Sequence, residues 1–98
     1  MSAFNEILNS EKPVLVDFFA TWCGPCKTMA PMLDQLKQQM GEETRILKID
    51  VDKNASLAAR YRIQSVPTLI LFKKGQPVWR QSGIVPVQQL KQVILKHS

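Results

Sequence analysis

Residues 13–27 read Pro13-Val14-Leu15-Val16-Asp17-Phe18-Phe19-Ala20-Thr21-Trp22-Cys23-Gly24-Pro25-Cys26-Lys27. Val14–Phe19 is a near-continuous apolar run bounded by Pro13 and the 21–24 segment, which is the pattern of a strand buried on both faces. Asp17 is the single charge inside it. Beyond the two cysteines the period changes. Met29, Leu33, Leu36 and Met40 are spaced for one buried stripe of a helix, and Gly41 stands where a left-handed C-cap is expected. Pro31 falls inside that stripe; its missing donor and its ring predict a kink. The cysteine pair thus sits between a buried strand and the helix that follows it.

Working outward, Ser2 can cap a short helix that puts Phe4, Ile7 and Leu8 on one face. A second strand is expected over 46–51, with Asp52 or Asn54 opening a short helix that runs through Tyr61. A third strand covers 68–72, Lys73-Lys74-Gly75-Gln76 is a hairpin turn, and 78–82 is a fourth strand. Pro86, favourable in a first helical turn, starts a last helix with Val87, Leu90 and Ile94 on one side. The order α-β-α-β-α-β-β-α predicts the α/β class, with a mixed sheet of four strands and helices on both faces. Strands separated by helices are expected to pair in parallel through right-handed crossovers, and the last two to form an antiparallel hairpin. A chain of 98 residues is expected to be one domain, 1–98, and one of this size can bury roughly two-thirds of its unfolded surface.

Composition narrows the classes. At 45% hydrophobic and 21% charged, the chain reads as an ordinary globular protein. No run approaches the length of a membrane span, and residues 1–10 carry neither the basic nor the apolar region of a signal peptide, so a cytoplasmic location and no membrane partner are expected. The net charge of +5 could suggest a nucleic-acid partner. The basic residues are scattered from Lys12 to Lys96, however, with no run longer than Lys73-Lys74, which favours a solvated surface and no nucleic acid. Metal binding is also disfavoured. A structural zinc needs a full tetrahedral set, and the chain offers only Cys23, Cys26 and His97.

Two cysteines with two residues between them can close a disulfide across one helical turn. If the helix starts at about Cys23, its sulfur meets unpaired backbone amides and the positive end of the helix dipole, which stabilise a thiolate. Cys26, one turn in, is expected to be more buried and to keep its proton longer. Dithiol exchange needs this asymmetry, because one sulfur attacks and the other resolves the mixed disulfide. Asp17, a carboxyl in an apolar run, is expected to have a raised pKa, since burial disfavours the charged form.

The segment from Asp17 to Lys27, together with Ser65-Val66-Pro67-Thr68 downstream, resembles the thioredoxin family. The similarity continues through Lys48, Asp52, Gly75 and Gly83 and covers nearly the whole chain from Pro13 onward. It implies that Cys23 is the nucleophile and Cys26 the resolving thiol. Pro67 would be a cis-proline beside the disulfide, exposing a backbone edge to substrate chains. Asp17 would manage the proton of Cys26, with Lys48 modulating it. Trp22, Val66, Gly83 and Ile84 would form an apolar collar, and Gly24-Pro25 between the sulfurs goes with reductants. The family potential is about −270 mV, and its nucleophile titrates near about 7. The implied activity is reduction of protein disulfides, with recycling by a flavin-dependent, NADPH-using thioredoxin reductase. The thiols do the chemistry themselves, so no bound cofactor is needed.

Two departures stand out. Family members usually begin with an extra strand that pairs with the one matching 46–51. Here only Met1 precedes Ser2, so 46–51 is expected to be an edge. That edge should either pair with a second copy, making a homodimer, or be covered by the N-terminal segment. Phe19 stands where many relatives carry tryptophan, and Trp79 reads as hairpin packing. Two rival functions remain at this stage: a reductant or isomerase dedicated to one pathway, and a binding module whose dithiol is incidental.

Overall fold

The computed structural model describes residues 3–98; the Ser2 cap lies outside them. The elements are α1 (Ala3–Leu8), β1 (Val14–Phe19), α2 (Gly24–Met40), a 3-10 turn (Gly41–Glu43), β2 (Arg45–Asp50), α3 (Ala55–Arg60), β3 (Thr68–Lys73), β4 (Gln76–Ser82) and α4 (Val87–Lys96). The four strands form one mixed sheet in the order β2-β1-β3-β4. Among the described residues no helix is long and apolar enough to cross a membrane.

Alternation along the two central strands divides the core. Leu15, Leu69 and Leu71 face α2 and α4, packing with Met29, Leu33, Leu36, Met40, Leu90 and Ile94. Val14, Val16, Phe18, Ile70 and Phe72 face the other way, onto Phe4, Ile7 and Leu8 of α1 and onto Leu57, Tyr61 and Ile63. The central strands are apolar at consecutive positions because each buries both faces. The predicted α1 face and helix stripes are all used as expected. Trp79 is half-buried against the α2/α4 core, as hairpin packing requires.

Pairing departs from expectation at one place. β1 and β2 are parallel, with Asp17 opposite Lys48, and β3 and β4 are antiparallel. β3, however, runs antiparallel to β1 rather than parallel. The connection from β2 to β3, residues 51–67, does not cross back along the sheet. The 6 residues of α3 span about 9 Å, against about 20 Å for a strand of the same count. α3 by itself does not carry the chain back along the sheet, and β3 starts at the end where β2 stops. Residues 51–67 are thereby gathered at the end where α2 begins. α2 itself runs unbroken through Pro31 for 17 residues and ends at Gly41, whose φ of 56° is positive although its ψ of −124° is not that of a left-handed cap. Lys37 donates from Nζ to the Gly41 and Thr44 carbonyls there. Pro86 is the N-cap of α4, one residue outside it.

Candidate functional site

Cys23 and Cys26 form a disulfide with Cα atoms 5.3 Å apart. Cys23 is the N-cap of α2, in extended backbone that brings its Sγ back over the first turn, where it accepts the Cys26 N–H at 3.1 Å. The residues between them supply the start of the helix, with Pro25 in its first turn, where the absent amide costs nothing. Cys26 is not the more buried of the pair: Cys23 is 4% exposed and Cys26 6%. Burial is matched because Cys23 is covered from the β3 side. Its Sγ lies 3.6 Å from the Val66 carbonyl oxygen, and Val66, with Phe19 and Val51, packs on the cysteine pair. The asymmetry between the sulfurs is one of polar surroundings, an amide donor for Cys23 and a carboxyl cleft for Cys26.

That cleft, of about 250 Å³, is lined by Asp17, Phe19, Ala20, Thr21, Cys26, Lys27, Ala30 and Lys48. The Asp17 side chain shares the α2 side of β1 with Leu15, two residues away. It is 1% exposed, and its Oδ1 has no hydrogen-bond partner among the described residues. Burial pushes its pKa up to about 6; the Lys48 charge on the neighbouring strand opposes the rise without cancelling it. Lys48 itself is exposed at the cleft's rim. Phe19 fills the cleft wall.

On the other side the Val66–Pro67 peptide is cis. The Pro67 carbonyl accepts the Gly83 N–H at 2.8 Å, which ties the loop after β4 to the residue that follows the Val66 contact with Cys23. Gly83 adopts φ +89°, a conformation side chains disfavour. Trp22 and Ile84 are 70% and 45% exposed, while Val66 is half-buried and Gly24 and Pro25 are exposed. Of the residues expected at the site, Cys26, Asp17 and Lys48 share the cleft, Val66 packs on the cysteine pair, and Gly83 is bonded to Pro67. Among the described residues, no cluster of three or more His, Cys, Asp or Glu side chains could hold a metal ion.

Three contributors escaped the sequence reading. Trp22 donates from Nε1 to Asp52 Oδ2 at 2.9 Å. Asp52 is in turn held by Asp50, whose Oδ1 accepts the N–H groups of Asp52 and Lys53 and whose carbonyl accepts Asn54 Nδ2. The Asp50-x-Asp52-Lys53-Asn54 cluster was a visible turn signal. Its target, 30 residues away, was not visible. Met29 is the third, its Sδ accepting the Val85 N–H.

A family model, Thioredoxin, matches residues 1–96. A thioredoxin-like protein of Synechocystis sp. is 53% identical over 90 residues, covering 91% of this chain and 86% of that protein. Thioredoxin Y, chloroplastic, of Oryza sativa subsp. japonica is 50% identical over 94 residues, 95% of this chain, which spans only 56% of that relative's length. Among solved structures, a mutant thioredoxin from Halobacterium salinarum superposes with a TM-score of 0.89 at 35% identity, over 99% of this chain and 84% of that one. With its helix-capping disulfide and this match along almost its full length, the chain belongs to the thioredoxin family and is a thiol–disulfide oxidoreductase.

Proposed function

We propose that this protein reduces disulfides in other proteins, with Cys23 as nucleophile, Cys26 as resolving thiol and the Cys23–Cys26 disulfide as its own redox carrier, without a bound cofactor. The observation that carries the reading is the position of Cys23 at the N-cap of α2 with an amide donor on its sulfur. In the reduced protein that donor and the helix terminus favour a thiolate at Cys23. The thiolate attacks one sulfur of a substrate disulfide, and the other substrate sulfur leaves as a thiolate. Cys26, deprotonated into the cleft with Asp17 taking the proton, attacks Cys23 Sγ and expels the second substrate thiolate. Two electrons have passed to the substrate, and the protein is left oxidised. Lys48 helps to keep Asp17 ionisable. Pro67 and Val66 present a backbone edge, and Trp22, Gly24, Pro25, Gly83 and Ile84 dock the substrate chain.

A flavin-dependent thioredoxin reductase drawing on NADPH returns the dithiol. The single domain works in a reducing compartment, which favours the cytoplasm; the chloroplastic relative makes a plastid the competing location, and a fluorescent fusion separates the two. A second copy is proposed to pair along the open edge of β2. Insulin reduction tests the central reading. Turnover with dithiothreitol or a reductase as electron source, lost in Cys23→Ser, is expected, and Cys26→Ser should trap the mixed disulfide. An inert wild-type protein would overturn it.

A further inference from the structure

The loop between β4 and α4 carries Gly83 and Ile84, and it is fixed at two points. Gly83 donates its N–H to the Pro67 carbonyl at 2.8 Å. Two residues on, Val85 donates its N–H to the thioether sulfur of Met29 at 3.4 Å. Met29 and Val85 are both fully buried in the α2/α4 core. Pro86 follows immediately as the N-cap of α4 and has no N–H to offer. Ile84, between the two anchors, is the residue that turns outward.

We infer that Met29 is a positioning residue for substrate docking: its sulfur, by accepting the Val85 N–H, holds the 83–85 segment so that Ile84 stands exposed beside the residues that flank the disulfide. This rests on the proposed docking role of Ile84. A thioether is a weak acceptor, yet it is an acceptor where a hydrocarbon is none. Leucine fills nearly the same volume as methionine and is tolerated well as a packing substitute. Met29→Leu therefore isolates the sulfur: it leaves the core filled and strands one buried N–H, which is costly and is relieved by the loop moving toward water. The attachment also runs from the helix that carries Cys26 to the loop that meets the substrate, so one α2 residue sets the height of the collar relative to the disulfide.

The test compares wild type, Met29→Leu and, as a control on the same helix, Met40→Leu. With insulin as substrate, Met29→Leu is expected to raise KM roughly threefold to tenfold, the net effect of one lost hydrogen bond once the loop has relaxed toward water, with kcat unchanged. Reduction of a small aromatic disulfide, which needs no docking surface, should be unaffected, and the Val85 amide should exchange faster with solvent. Met40→Leu should show none of this. Replacing all methionines with norleucine should reproduce the KM change in wild type but not in Met29→Leu, whereas selenomethionine, which keeps a soft acceptor, should leave wild type intact. An unchanged insulin KM in Met29→Leu would overturn the inference. Wild type inactive on insulin would instead overturn the functional reading beneath it, and an unchanged KM in Ile84→Ser would locate the failure in the docking role.

Discussion

The Asp17 carboxyl is the group whose environment is most at odds with its charge. With a folded pKa of about 6 against an ordinary 3.8, the native state holds a proton that the unfolded chain has released across the interval between them. The stability associated with that proton is fully present below pH 3.8 and is lost as the pH rises to about 6. At neutral pH the ionised Asp17 destabilises the fold by up to about 3 kcal/mol, from the difference between those two values. Asp17→Asn is expected to recover much of this at pH 7 and little at pH 4, which urea unfolding at the two pH values will read. The same variant should slow disulfide reduction above pH 6, where only the carboxylate can accept the proton of Cys26; equal rates would remove Asp17 from the chemistry. At Trp22 the effect is one of orientation. Asp52→Ala removes the acceptor of the Trp22 indole. Losing one charge-assisted but exposed bond, about 1 kcal/mol, should raise the insulin KM roughly fivefold with little change in kcat. Trp22 emission, followed in a Trp79→Phe background, should shift in parallel. The burial of Asp17 was legible in the sequence because it interrupts an apolar run. The Asp52 partnership was not, because nothing local to either residue specifies a contact across 30 positions.

Elements were readable wherever their own residues decide them. α2 and α4 declare themselves by buried stripes, and the β3–β4 turn by Lys74-Gly75, both of which adopt positive φ, 52° and 82°. A two-residue turn of that hand matches the twist of a hairpin. Gly75→Ala is expected to destabilise by about 1 kcal/mol. The cost is conformational, since a Cβ there would meet Asn9 at no closer than 3.9 Å, an ordinary contact. Denaturant midpoints with an unchanged m-value would show it, and an unaltered midpoint would refute it. The direction of β3 was misread for a reason that operates at this same scale. Patterning gave α3 as a helix between strands, and a helix between strands suggests a crossover. Its 6 residues are too few to span the sheet alone, and nothing in the pattern marks the rest of 51–67 as staying at one end. The matched burial of the two cysteines escaped for a related reason: Cys23 is covered by Val66, which antiparallel β3 brings to the same end as α2.

At the scale of the molecule, the sheet has two edges that are protected unequally. β4 carries Pro77, and its register with β3 shifts between Leu71 and Phe72; both features discourage a further strand. β2 has neither and relies on the charges of Arg45, Lys48 and Asp50. The Arg45 N–H bonds to Pro13 and the Val51 N–H to Phe19. By alternation, the N–H groups of Ile46, Lys48 and Asp50 point away from β1, toward whatever pairs next. Among the described residues β2 pairs as a strand with β1 alone, and at its end the Asp50 carbonyl is taken by Asn54 Nδ2. α1 covers a face of the sheet through Phe4, Ile7 and Leu8. A second copy related by a two-fold axis could pair its own β2 antiparallel to this one, extending the sheet without disturbing either active-site end. Light scattering should then give a mass that rises with concentration toward twice that of the chain. The Ile46 and Lys48 amides should become slower to exchange over the same range, while the Arg45 amide, already bonded to the Pro13 carbonyl, should not respond. A monomer at every concentration, with Ile46 and Lys48 exchanging freely throughout, would show that three charged side chains suffice to keep this edge unpaired.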